Sequence, residues 1–305
     1  MTRVLLTGAS GFIGRHCIRG LLEKGYEIHA VSSAGLPPTD RHIQWHRADL
    51  LDRKQLRNLV EIVCPDVLLH LAWYTVPGKY WTAQENLWWL QSGIDLLVAF
   101  TDCGGKRAVM AGTCAEYDWN FGYCREDLTP TRPVSLYGTC KNALYLVVSQ
   151  LAAQRKLSLA WGRVFHLYGP HEPPARLIPS IIRGLLRGEP VACGDARLIR
   201  DYSHVQDIAD AFVELLASNV EGPVNIASGQ AISMRSLGCM LEQLLDKRGL
   251  VRWNAIPARE HEPPLLAADT RRLNDTVGWV PRFSIGDGLQ HAVEWWRTAA
   301  AKESG

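Results

Sequence analysis

The sequence predicts an α/β fold in which a doubly wound parallel sheet is followed by a smaller C-terminal α/β unit. Three observations support this. Short β-branched or leucine-rich runs alternate with longer amphipathic stretches through the first half of the chain, and such alternation builds right-handed βαβ crossovers and a parallel sheet covered on both faces. The first run leads directly into a glycine-rich turn, Thr7-Gly8-Ala9-Ser10-Gly11-Phe12-Ile13-Gly14. From about Tyr168 the texture changes, with Gly169-Pro170, Pro173-Pro174 and Pro179 punctuating shorter elements.

Taken in order, Val4–Thr7, Glu27–Ser32, Ile43–Arg47, Val67–Leu71, Arg107–Gly112 and Ser158–Phe165 read as strands. Helical spacing of apolar residues covers Phe12–Lys24, Asp52–Val63, Gln84–Cys103 and Ser135–Arg155 in the first half. It recurs at Ile178–Arg187, Val205–Ala217, Met234–Lys247 and Ile285–Thr298, and the tail Ala299–Gly305 is expected to fray. The division predicted is a dinucleotide-binding unit at residues 1–170 and a substrate-binding unit at residues 171–305. The segment around 205–230, with its Val224–Ala227 run, is free to pack back on the first unit.

With 305 residues the chain holds about two domains. Apolar residues make up 47% and charged residues 21%, and 33 basic against 31 acidic side chains leave a net charge of +2. That balance excludes a general nucleic-acid or membrane-surface binder. No apolar run approaches the roughly 18 residues of a membrane span, and Gly8 interrupts any signal-peptide core, so a cytoplasmic chain is expected. The eight cysteines include no Cys-x-x-Cys pair, which predicts free thiols and no metal site.

The glycine turn is the first functional signal. In G-x-x-G-x-x-G between a strand and a helix, one glycine permits the tight turn, the next lets backbone approach a pyrophosphate, and the last lets helix and strand pack closely. The helix N-terminus then offers N–H groups and a partial positive charge to the phosphates. A dinucleotide is therefore expected at Gly8, Gly11 and Gly14. An acidic residue ending the second strand would select NAD by bonding the ribose hydroxyls. Here that strand ends Val31-Ser32-Ser33. Ser32 and Ser33 can meet a 2′-phosphate that Arg15 neutralises, which favours NADP over NAD. Asp49, after the third strand, is placed to accept from the adenine amino group.

Tyr137 and Lys141, four residues apart on one helix face, form the second signal. An ammonium beside a phenol favours the phenolate and is expected to lower the phenol pKa towards the useful range. Thr113, ending the strand Arg107–Gly112, lies where open α/β sheets bind ligands. Its hydroxyl can donate to a carbonyl oxygen that gains charge. The aromatics Trp73, Tyr74, Tyr80 and Trp81 can line a sugar pocket or simply cap the core, and the sequence leaves both open.

These residues, with His70-Leu71-Ala72, Arg163-Val164-Phe165-His166-Leu167-Tyr168-Gly169-Pro170, Arg200-Asp201-Tyr202-x-His204 and Gly278-Trp279-x-Pro281, run in order over nearly the whole chain. In this the chain resembles the extended short-chain dehydrogenase/reductases that act on nucleotide sugars, in their 4-ketoreductase and epimerase branch with a Rossmann-type sheet. The resemblance implies a cofactor site of Gly8, Ser10, Gly11, Phe12, Ile13, Gly14, Leu50, Leu71, Ala72, Trp73, Asn86 and Phe165. It implies Tyr137 as general acid/base, Lys141 tuning it and holding the nicotinamide ribose, and Thr113 orienting the sugar carbonyl. It also implies substrate contacts from Thr75, His166, Arg176, Arg200, Asn225 and Arg259. Of these, Arg200 and Arg259 would meet the diphosphate and Arg176 the nucleotide, while His166 stands where many relatives carry asparagine.

Relatives that eliminate water carry acids directly after the threonine, but Cys114 and Ala115 occupy those places and Glu116 falls one position later. Relatives that epimerise beside the carbonyl pair a cysteine with a histidine; His171 fits, whereas Ala115 fills the cysteine's place. The remaining set suffices to reduce a nucleoside-diphosphate 4-keto-(6-deoxy)sugar, with hydride passing from nicotinamide to C4. The alternative is a 4-epimerase with tightly bound NAD. A non-catalytic dinucleotide sensor would not need the Tyr137–Lys141 pair. Leu87, Trp88, Leu90 and Ile94, with Leu144, Val147, Val148 and Leu151, predict a four-helix seam in a homodimer.

Overall fold

The structure is a computed structural model that describes residues 1–33, 42–257 and 262–303. In chain order the first half runs β1 (Arg3–Thr7), α1 (Gly14–Glu23), β2 (Glu27–Ser32), β3 (Ile43–Arg47), α2 (Arg53–Val63), β4 (Val67–His70), α3 (Glu85–Asp102), β5 (Arg107–Thr113), the short β6 (Tyr123–Cys124) and α4 (Leu136–Arg155). The second half runs β7 (Ser158–Val164), β8 (His166–Tyr168), α5 (Leu177–Arg187), β9 (Val191–Ala192), β10 (Ile199–His204) and α6 (Val205–Ala217). After these come β11 (Gly222–Ile226), β12 (Ala231–Ser233), α7 (Met234–Leu245), β13 (Val251–Arg252), β14 (Leu265–Ala268) and α8 (Ile285–Glu303).

Seven strands form the main sheet in the order β11-β7-β5-β4-β1-β2-β3, every neighbouring pair parallel. The chain starts at β1, winds outward through β2 and β3, then returns to place β4 on the other side of β1. The crevice between the turns that follow β1 and β4 is thus the switch point where such sheets bind ligands. Alternation along the strands feeds two cores. Val4 and Leu6 pack with Leu21 of α1 and Phe212 of α6, while Leu5 points the other way to Leu56, Phe100 and Leu144 of α2, α3 and α4.

The late segment does return to the first unit. β11 pairs with β7, and α6 contributes Ile208, Phe212 and Leu216 to the α1 face of the core. The rest of the second half has its own core of Ile178, Ile182, Leu241, Leu289 and Trp296. Its strands join β6 of the first half in a second sheet, ordered β12-β10-β14-β6, with β8 paired to β10. α8 continues to Glu303, with Ala299, Ala300 and Ala301, strong helix formers, extending it past the packed turn of Trp296; the rest of the tail, residues 304–305, lies outside the described residues. All eight cysteines are free, and no helix among the described residues is long and apolar enough to cross a membrane.

Candidate active site

A cavity of about 380 Å³ opens at the switch point. It runs from the glycine turn across the carboxyl ends of β4, β5 and β7 to the start of α5, lined by Gly8, Gly11–Gly14, Leu71–Trp73, Thr113, Tyr137, Lys141 and Phe165 among others.

The turn is shaped for backbone. Gly8 has φ +70°, and a Cβ there would stand 2.8 Å from the Ala72 amide nitrogen. A Cβ on Gly14 would fall 2.1 Å from the Gly8 carbonyl oxygen, and one on Gly11 3.0 Å from that same oxygen. No side chain caps α1 at Ile13, so its first N–H groups face the turn without a competing side-chain acceptor. This cradle fits a dinucleotide diphosphate. Arg15 is exposed and donates to the Ser10 carbonyl at 2.7 Å and the Gly11 carbonyl at 3.2 Å. Ser33 and Asp49 are exposed at the adjacent strand ends, whereas Ser32 is buried. Residues 34–41, which follow Ser33, lie outside the described residues.

At the other end, Ser135 caps α4 by accepting from the Gly138 amide at 3.1 Å, which sets the first turn that carries Tyr137. Tyr137 meets Tyr80, Trp81 and Trp73 edge-on, with ring centroids 5.0, 5.8 and 6.5 Å away. Trp73, Tyr80 and Trp81 therefore line the cavity, resolving the choice the sequence left open for them. Trp73 is fixed in turn: its indole N–H donates to Asn86 Oδ1 at 2.8 Å, and Asn86 Nδ2 donates to the carbonyls of Tyr80 and Ala83.

Lys141 Nζ donates to the Ala111 carbonyl at 2.7 Å and sits 3.7 Å from the centroid of the Trp73 ring, a cation–π contact. Its electrostatics correct one expectation. Shielding from water pushes the Tyr137 phenol up from its ordinary value, opposed by the nearby Thr113 hydroxyl. Burial pulls Lys141 down to about 7, with Glu116 raising it. Desolvation is the largest cause of both shifts, because each charged form must leave water to exist here.

Other predicted residues divide by position. Phe165, His166 and Arg176 line the cavity, as does Thr75. Burial drives the His166 imidazole down to about 3, helped by the charges of Arg200 and Arg176, and its Nδ1 has no hydrogen-bond partner. Arg200 is 4% exposed and lies behind the wall, donating to the Ile199 carbonyl at 2.8 Å and reaching Glu262 at 3.4 Å. Arg259 lies outside the described residues.

Three residues expected at the site turn their side chains away from the cavity. Asn225 is fully buried, and its amide is consumed by Tyr117, Cys124 and Asp269, so its side chain does not face the cavity. Asn86 is likewise sealed and acts on the wall through Trp73. The Leu50 side chain belongs to the core beside α2. His171 is exposed, its ring tilted against those of Trp295 and His16 rather than on the cavity wall.

The sequence reading missed Glu172 and Tyr202, both of which line the cavity. Glu172 is almost fully buried, and burial raises its carboxyl to about 8 against the opposing charge of Arg176. Its position just past Gly169-Pro170, beyond a strand end, was the available signal.

The model of the NAD dependent epimerase/dehydratase family matches residues 4–227. The chain belongs to this family. A dTDP-D-glucose 4,6-dehydratase from Mus musculus is 25% identical to it, over 97% of this chain and 88% of the mouse protein. A UDP-glucose 4-epimerase from Halalkalibacterium halodurans is 22% identical over 96% of this chain and 95% of its own. Among solved structures, the Thermus thermophilus UDP-glucose 4-epimerase in complex with NAD has a TM-score of 0.87 at 25% identity, covering 98% of this chain and 100% of that one. MoeE5 in complex with UDP-glucose and NAD has a TM-score of 0.86 at 28% identity, with the same coverage. This family member therefore shares its fold with enzymes captured holding NAD, and the glycine cradle is the part of its own surface that fits that cofactor.

Proposed function

We propose that this protein reduces the C4 ketone of a nucleoside-diphosphate 4-keto-6-deoxy sugar, drawing on NADPH. The observation that carries the reading is the presence of Tyr137 and Thr113 together on the cavity wall, with uncharged Cys114 and Ala115 in the places elimination would need. A bound nicotinamide supplies the hydride. Tyr137, kept neutral by its surroundings, is in the form that gives a proton to the ketone oxygen as C4 is reduced. Thr113 hydrogen-bonds that oxygen, and the nearby Lys141 ammonium offsets the phenolate left behind. Trp73, Tyr80 and Trp81 offer flat apolar faces to the ring carbons of a sugar. The names of the relatives, which specify UDP- and dTDP-sugars, support a nucleoside-diphosphate substrate. NADP is favoured because no carboxylate ends β2.

A second reading, 4-epimerisation with tightly held NAD, is supported by the epimerase relatives and by the NAD in the structural neighbours. Denaturing the purified protein separates the two. Reduction predicts a site free of oxidised cofactor, and stoichiometric NADPH consumption when a 4-keto-6-deoxy sugar nucleotide is added. NAD+ released from every molecule would overturn it in favour of epimerisation.

The expected partner is a second copy of the chain. Leu144 and Val148 are spent inside the protomer's own core, where Leu90, Ile94 and Leu151 also pack. Leu87, Trp88, Leu146 and Val147 remain exposed on α3 and α4, which pack side by side. Pairing these helices with their symmetry mates would cover that face. A sedimentation mass of one chain removes the dimer.

A further inference from the structure

We infer that Glu116, which the reduction itself leaves unused, is the positioning residue of the site: one carboxylate that fixes the end of β5 at Thr113 and provides the counter-charge for Lys141. This rests on the functional reading of Thr113 and Lys141 given above. Glu116 is completely buried. Its Oε1 accepts from the Thr113 amide at 2.7 Å and from the Trp161 indole at 3.0 Å, and its Oε2 accepts from Arg163 Nε at 2.8 Å. Thr113 answers by accepting from the Ala115 amide at 3.2 Å, so the two side chains cap the short turn Cys114–Glu116 reciprocally. The residue that holds the carbonyl-orienting hydroxyl is thus locked at its own backbone.

Gly112 makes room for this arrangement. A Cβ there would stand 2.1 Å from Trp161 Nε1 and 2.6 Å from Glu116 Oε1. Lys141 anchors one residue earlier, on the Ala111 carbonyl, so carboxylate and ammonium flank the same strand end. Glu116 is the acid whose charge supports the Lys141 ammonium against burial. The other titratable groups facing the pair are Arg163 of β7, Tyr137 and Tyr145 of α4, Cys114 and Tyr117 of the turn, and His70 of β4. Arg163 is itself buried over the Tyr117 ring at 4.5 Å. Removing the carboxylate charge therefore leaves Arg163 without its ion-pair partner and takes a nearby negative charge away from Lys141.

Glu116→Gln tests this, since the amide oxygen still accepts from the Thr113 N–H while the charge is gone. NADPH binding and turnover are measured from mildly acid to alkaline pH. The expected result is an alkaline limb displaced downward by about one pH unit, which makes the variant about tenfold weaker than wild type on the alkaline side and restores near-parity on the acid side. Profiles of the same shape, differing only by a constant factor, would reduce Glu116 to a structural role and overturn the inference. The double variant Glu116→Gln/Arg163→Met removes the orphaned guanidinium and decides the matter if the single variant folds poorly: the same displaced limb is expected, and an undisplaced one overturns the proposal. Failure of the wild type to reduce any 4-keto sugar nucleotide would defeat the functional reading instead, while the limb in NADPH binding would still judge Glu116.

Discussion

The two ends of the cavity are built on different principles. At the glycine turn the protein presents backbone: Gly8, Gly11 and Gly14 are there because nothing larger fits, and neighbouring main-chain atoms set the limits. At the proposed catalytic floor it presents side chains whose behaviour depends on what surrounds them. Tyr137 and Lys141 share a helix face, and burial is the largest influence on each, raising the phenol and lowering the amine. A backbone site follows from spacing; a side-chain site follows from packing, and its chemistry is set by the dielectric around it.

The largest expected effect lies at the side-chain end. Tyr137→Phe removes the only proton the floor is proposed to donate, so kcat should fall by about a thousandfold. NADPH affinity should stay near the wild-type value, because the ring packing survives; a parallel loss of binding would mean that the two ends are not separable. Gly14→Ala attacks the other end. Its methyl would collide with the Gly8 carbonyl, so NADPH affinity should drop by about a hundredfold or Tm should fall by several degrees. A fluorescence titration beside a melting curve reads both.

Asn86→Ala sharpens the contrast at intermediate size. It frees the Trp73 indole, and the wall that steadies Lys141 should loosen enough to lower kcat/KM by about tenfold. Unchanged kinetics would show that Trp73 is held by packing alone.

The smallest effect concerns Glu172 and stability. Its carboxyl keeps its proton up to about pH 8 in the folded protein, whereas its ordinary value is 4.5. Between those values the native state binds more protons than the unfolded one, so this group's contribution to stability falls as pH rises through the window. Glu172→Gln escapes that loss. Its Tm should match the wild type near pH 4.5, climb a few degrees above it by pH 8 and then level off. A constant difference across the range would show that Glu172 does not titrate as its burial implies.

How far the sequence was readable tracks the same division. Strand and helix periodicity located the helices α1–α8 and the strands of the main sheet, because alternation and helical spacing are local properties, but not the short strands of the second sheet. Tyr137, Lys141 and Thr113 could be picked out as well, since the helix face and the strand end come from short-range geometry. For Asn225 and Asn86 the motif gives a position along the chain but not the direction of the side chain: both amides are bonded internally. Glu172 and Tyr202 escaped because they reach the cavity only when β8 and β10 pair across the second sheet. Arg200 shows the same limit, with its guanidinium turned towards Glu262 behind the wall.

The sequence by itself determined the parallel sheet, the glycine cradle and the identity of the hydroxyl, phenol and amine, since each depends on residues close along the chain. Only the tertiary structure decided which groups face the cavity, that Trp73 holds the Lys141 ammonium, and that Glu116 lies inside against Arg163. The physical reason is that steric and periodic rules act within a few residues, whereas burial, and with it every shifted protonation state here, is the summed effect of elements brought together from across the fold.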